Sequence, residues 1–212
     1  MAEKDLKELI EGCIRQNRQC QKELYKKFYS YSMAICLRYA NDRDEAAGIM
    51  NQGFFKVFKY LSKYDGNRPF KIWLGKIMTN TAIDNYRAAA RTVAIDDLEK
   101  AEHVRDVDLA DKRLNYNDLL SMIQRLPRAY RLVFNLFAIE GYTHEEIADM
   151  LQVSVGASKS NLHKARQKLK LMIHEADRRD TGRYGAGADY TPVVAITGIH
   201  MNTNFILNNF LR

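Results

Sequence analysis

Residues 143–173, THEEIADMLQVSVGASKSNLHKARQKLKLMI, read as a helix, a tight turn and a second helix. Thr143 is placed to cap the first helix, and Glu146 completes a capping box. Ile147, Ala148 and Leu151 then fall on one face at helical spacing. The turn QVSV comes next, and Ser154 is a ready N-cap for the second helix. That helix carries Lys159, Lys164, Arg166, Lys168 and Lys170 with no acid before Ile173, while Leu162, Ala165, Leu169 and Met172 form its apolar edge. A short helix packed under a basic one is the helix-turn-helix arrangement, whose second helix enters the major groove of duplex DNA. A basic amphipathic helix is also a common solvated face, so the caps and the small turn, not the charge alone, carry the reading.

The rest of the chain is consistent with a polyanion partner. Its 212 residues suit one or two domains, and a composition 46% hydrophobic and 28% charged is that of a globular protein with a core. The net charge is +7 and the isoelectric point about 9.2. Charge by itself does not separate nucleic acid from an anionic membrane. No apolar run approaches the length of a membrane span, and MAEKDLKELIEG lacks a signal-peptide core, so a cytoplasmic protein without membrane insertion is expected. Cys13, Cys20 and Cys36 are odd in number and form no CxxC, which argues against a disulfide framework and a structural zinc site. The histidines have no paired ligand spacing, and no Walker loop, GxSxG or GxGxxG is present. Nothing argues for an enzyme, a cofactor or a metal.

Helical periodicity dominates and prolines are three, so the body reads as all-α. Helices are predicted at roughly 3–16, 20–40, 43–63, 69–90, 115–125, 128–140, 143–151 and 155–178. Residues 95–111, IDDLEKAEHVRDVDLAD, hold seven acids against Lys100 and Arg105, and read as an acidic linker. The expected organisation is two helical domains, 1–91 and 112–179, joined by a linker over 92–111 and followed by a flexible extension over 180–212. Within that extension, DTGRYGAGADY is glycine-rich and TPVVAITGI has the pattern of a short strand. It is either a disordered extension or a docking segment.

A second signal lies in the first half. Met50, Phe54, Val57, Phe58 and Leu61 stripe one helix, and Phe70, Trp73, Leu74, Ile77 and Met78 stripe the next; both read as core. The opposite face of the second helix carries Lys76, Asn80, Asp84, Arg87 and Arg91 at helical intervals. It is either a plain solvated face or a track for a nucleic-acid strand, where cations hold phosphates and aromatics accept bases. The loop KYDGNRP adds Tyr64, Asn67 and Arg68 to the same edge.

Together, the two halves resemble the extracytoplasmic-function (ECF) sigma factors. LYKKFYSYSMAICLRY, DEAAGIMNQGFFKVFKYL and FKIWLGKIMTNTAIDNYR resemble their region 2, and LPRAYRLVFNLFAIEGYTHEEIADMLQVSVGASKSNLHKAR resembles their region 4. The resemblance runs over roughly residues 18–172. It implies a non-enzymatic factor that binds core RNA polymerase and directs it to promoter DNA, usually restrained by an anti-sigma factor, often tethered to the membrane. By the match, Gly48, Ile49, Asn51, Gln52 and Phe55 would dock on the polymerase clamp. Tyr64, Asn67, Arg68, Trp73, Lys76, Asn80 and Arg87 would open the minus-ten element and capture a flipped base. Gly156, Ala157, Lys159, Ser160, His163 and Lys164 would read the minus-thirty-five element, with Arg166 and Lys168 turned to phosphates or core. The acidic linker would thread toward the polymerase active site.

The chain departs from the family at named points. Gly48 and Gln52 stand where many members carry acids, Asn161 stands where arginine is frequent, and most members end near residue 178. Two other classes remain: a helix-turn-helix repressor or activator that never joins the polymerase, and an adaptor that binds polymerase or an anti-sigma factor but no promoter.

Overall fold

The structure, a computed structural model, describes residues 5–93 and 116–181. These fall into two units, one on each side of the gap, and each is taken by itself. All regular structure among the described residues is helical. Of the expected linker, Thr92 and Val93 are helical, and so are Asp180 and Thr181 of the expected extension; residues 94–111 and 182–212, with the expected strand, lie outside the described residues.

The described residues of the first unit form four α-helices: α1 (Leu6–Ile14), α2 (Arg18–Tyr39), α3 (Arg43–Tyr60) and α4 (Phe70–Val93). α1 stops two residues earlier than expected because Gln16 takes a left-handed φ of 59°. α2 then starts earlier than expected, at Arg18, because the Asn17 side chain accepts from the amides of Gln19 and Cys20 at 2.9 and 3.2 Å. Asp42 does the same for α3, accepting from the Glu45 amide at 2.8 Å, while the Glu45 carboxylate accepts from the Asn41 amide at 2.7 Å. α3 ends at Tyr60 and tightens into one 3-10 turn, Leu61–Lys63.

Leu24 and Phe28 of α2, Met50, Phe54 and Val57 of α3, and Leu74 and Met78 of α4 fill one core. α2, α3 and α4 pack on one another, with α1 against α2. At Gly53 the Met78 side chain of α4 lies directly against α3, since a Cβ there would strike the Met78 sulfur. The stripes read as core are core, except that Phe58, Trp73 and Ile77 are only half-buried.

The second unit comprises α5 (Tyr116–Gln124), α6 (Arg128–Phe134), α7 (His144–Leu151) and α8 (Val155–Thr181). The expected helix over 128–140 is not uniform: α6 widens after Phe134 into a π turn, Asn135–Ile139. Such widening puts an extra residue into the turn and rotates the chain beyond it. Fully buried Arg131 ties α6 to α5 by donating to the Gln124 carbonyl at 2.7 Å. The capping box at Thr143 is present, with Glu146 N to Thr143 Oγ1 at 3.2 Å and Thr143 N to Glu146 Oε2 at 2.8 Å. α7 closes on Gln152 with φ 56°, and Ser154 Oγ accepts from the Ala157 amide at 3.0 Å to begin α8.

Candidate nucleic-acid interfaces

α8 is held by its apolar edge. Ser158, Leu162, Ala165 and Leu169 are buried, meeting Ile147, Ala148 and Leu151 of α7 and the inner side of α6. The helix can bury that stripe only by turning Gly156, Lys159, Ser160, His163 and Lys164 outward, and these five are exposed, with Ala157 half-buried. Six candidate duplex readers thus occupy the open side of the second helix.

Two of the cations are less free than the sequence suggests. The Lys164 ammonium lies 5.9 Å from the ring centroid of Tyr130 on α6, and the Arg166 guanidinium lies 5.7 Å from that of Phe137 in the π turn. Phe137 in turn stacks on His144 at 4.6 Å, and His144 Nδ1 is 2.9 Å from the Ser158 hydroxyl. This joint fastens the start of α7, the π turn and the recognition helix together. Burial first, then the charge of Lys159, pushes the His144 imidazolium below its ordinary pKa. Sequence reasoning missed His144, Phe137 and Tyr130, whose partners are distant in the chain. Ser158 could have been found, since it continues the 162, 165, 169 stripe by one turn.

In the first unit, Lys76 and Asn80 are exposed along one side of α4, and Arg87 is half-buried further along it. Asp84 is exposed on the same side, but its carboxylate is 2.8 Å from the Lys56 ammonium of α3. The single acid of the stripe is therefore matched by a lysine, leaving the stripe's remaining charge positive. The Arg91 side chain lies outside the described residues. In the preceding loop the Asp65 carboxylate accepts from the Asn67 amide at 3.0 Å and sits 3.8 Å from Arg68 Nε. That turn presents Asn67 and Arg68 to solvent.

Tyr64 and Trp73 are half-buried and face each other at 5.3 Å, each also meeting Phe70, and the Tyr64 hydroxyl donates to the Arg68 carbonyl. They wall the loop rather than project from it.

The outer side of α3 carries Gly48, Asn51, Gln52 and Phe55, all exposed, with Phe55 keeping 70% of its surface open. Asn51 accepts from the Tyr25 hydroxyl at 3.0 Å, and Gln52 Oε1 accepts from Asn85 Nδ2 at 2.9 Å. Ile49 does not belong to this surface. It is 2% exposed and points inward with Ala46, Met50 and Gly53, so the expectation that it contacts a partner is corrected. One residue of helical rotation, about 100°, separates it from Gly48.

The second unit is therefore a helix-turn-helix protein module, and the first is a helical bundle with a cationic stripe on one helix and an apolar knob on another. Residues 24–92 match the family model described as Sigma-70 region 2, and residues 116–169 match the one described as Sigma-70, region 4. Together the two matches span more than half of the chain.

The chain is 25% identical over 174 residues to the RNA polymerase sigma-H factor of Pseudomonas aeruginosa, covering 76% of this chain and 90% of that one. It is 28% identical over 166 residues to the ECF RNA polymerase sigma factor SigW of Bacillus subtilis, covering 72% and 87%. Among solved structures, the sigma factor RpoE of Bartonella quintana, in complex with the anti-sigma factor NepR, aligns with a TM-score of 0.46 at 17% identity, covering 72% of this chain and 96% of that one. The chain belongs to the ECF sigma factors.

Proposed function

We propose that this chain binds core RNA polymerase and directs it to its promoters. Residues 1–91 act as region 2 and residues 112–179 as region 4, with 92–111 as the acidic linker and 180–212 as an extension. Gly48, Asn51, Gln52 and Phe55 meet the polymerase clamp. Asn67, Arg68, Lys76, Asn80 and Arg87 act on the minus-ten element once its strands part, with Tyr64 and Trp73 shaping the wall behind them. Gly156, Ala157, Lys159, Ser160, His163 and Lys164 face the minus-thirty-five duplex. The protein is not an enzyme, works in the cytoplasm, and is restrained by an anti-sigma factor.

One observation carries this reading above its rivals. A repressor needs only the helix-turn-helix, yet the first unit separately displays a cationic α4 stripe and an exposed Phe55. Two different surfaces, one suited to a strand and one to a protein, fit a factor that joins polymerase to DNA. Among the described residues no helix is long and apolar enough to cross a membrane.

The test is reconstitution. The full chain is mixed with core polymerase, bound DNA is selected from a random duplex pool, and transcription is scored on the selected templates. The expected result is specific transcription that core enzyme alone does not give. Binding to duplex without binding to core would favour the repressor or activator, and binding to core without promoter selection would favour the adaptor. Asn80→Ala is expected to slow opening on duplex and to recover on a pre-melted bubble, because unstacking has already been done. Equal loss on both templates would assign Asn80 to folding or polymerase contact.

A further inference from the structure

The aromatic ring left open beside the α4 stripe is not one that the sequence singled out. Tyr64 and Trp73 close on each other and on Phe70. Tyr60, the last residue of α3, keeps 40% of its surface exposed. The ammonium groups of Lys59 and Lys63 each lie 5.4 Å from its ring centroid. Neither lysine forms an ion pair among the described residues. An exposed ring between two uncompensated cations is the composition of a single-strand binding surface.

Its placement comes from the α3–α4 packing. Lys56 reaches across to Asp84 of the stripe at 2.8 Å. Tyr60 is one helical turn beyond Lys56, on the same edge of α3. The two helices are joined at this end by the loop over 64–69, so a step toward the end of α3 is matched by a step toward the start of α4. The edge bearing Tyr60 therefore runs toward Asn80 and Lys76.

We propose that Tyr60, flanked by Lys59 and Lys63, is a base-stacking platform for the separated promoter strand, extending the α4 stripe onto the end of α3. The proposal rests on the initiation-factor reading above. In the free protein the two ammonium groups stay near the ring. When a strand arrives they move to its phosphates and leave the ring face to a base. Stacking tolerates any base, so Tyr60 adds hold on the open strand rather than sequence choice.

The experiment uses holoenzyme reconstituted from core polymerase and the full chain. The probe is a fluorescein-labelled single-stranded oligonucleotide selected from a random pool by the wild-type holoenzyme. Tyr60→Ala is expected to weaken its binding by about 5- to 150-fold, the range of one lost base–aromatic stack. Tyr60→Phe should bind like wild type, since only the ring is needed. Lys59→Ala and Lys63→Ala should each lower the salt slope of single-strand binding by about 0.7. Core-polymerase affinity and duplex binding should stay unchanged in all four.

Tyr60→Ala binding within twofold of wild type overturns the proposal, as does a loss that Tyr60→Phe shares, or a loss matched by weaker core binding. If wild-type holoenzyme forms but selects no DNA, single or double stranded, the initiation-factor reading falls and this proposal with it. Selection by wild type together with an indifferent Tyr60→Ala sinks this proposal alone.

Discussion

The His144–Ser158 contact sets the recognition helix against the helix before it, and its strength can be measured. Ser158 is fully buried, and its hydroxyl lies 2.9 Å from His144 Nδ1. Ser158→Ala removes a hydrogen bond worth about 0.5–1.5 kcal/mol net. The His144 ring is half-buried against Phe137, so its orphaned nitrogen regains water only in part. The expected loss is therefore at the upper end, about 1–2 kcal/mol. For a unit of this size that lowers the melting temperature by about 4–16 °C.

His144→Phe keeps a ring on Phe137 but strands the Ser158 hydroxyl, costing about 1–3 kcal/mol. The double variant leaves neither group unpaired, so the two losses should not add, and a coupling of about 0.5–1.5 kcal/mol is expected. The assay is unfolding of the full chain followed by far-UV circular dichroism. Trp73, the single tryptophan, lies in the first unit, so its fluorescence transition should not move and serves as the internal control. Losses that add within about 0.3 kcal/mol would refute the reasoning. They would mean that the Ser158 hydroxyl is satisfied by its own helix, as serines in helices can be.

Three other outcomes are expected. The folded unit favours neutral His144 while the unfolded chain protonates it near 6.5. The unfolded state then binds more protons, so stability holds above pH 7 and falls as pH drops through 6.5; His144→Phe should flatten that slope in melts from pH 8 to 5.5. Gly48 is exposed with nothing within 4 Å of where a Cβ would sit. Gly48→Ala should thus raise the stability of the Trp73-reported transition by about 1 kcal/mol, and a loss of stability would refute the open geometry. Lys164, drawn toward Tyr130, is better placed for a phosphate than for a base edge. Lys164→Ala should weaken all duplexes alike and reduce the salt slope by about 1, as filter binding at several salt concentrations would show, whereas a loss confined to the selected sequence would return it to base reading.

Most helices are legible in the sequence because their signals are local. Thr143 with Glu146 and Ser154 with Ala157 are bonds between residues three apart, and the sequence displays both partners. The buried stripe of α8 is equally plain, and it settles by exclusion which side of the recognition helix is open. The Asn17 cap escapes the sequence reading although it too is local. Ile49 is misassigned there because a contiguous match of residues carries no rotation, whereas the helix sets each neighbour about 100° apart.

What the sequence determined by itself is the set of helices and their principal apolar faces, since these arise from patterns spaced three, four or seven residues apart; the family resemblance rests instead on several motifs standing in order along the chain. The tertiary structure decided which charges and rings remain available. Asp84 is matched by Lys56, 28 residues away, and the Tyr25 hydroxyl reaches Asn51 across 26. Tyr64 turned to Trp73 while Tyr60 stayed open, and Lys164 settled over Tyr130. Apart from the Tyr64–Trp73 pair, these contacts join different helices, and their geometry depends on how the ridges of one seat in the grooves of the next. A periodic pattern says which face is buried; only the packed helices say what that face meets.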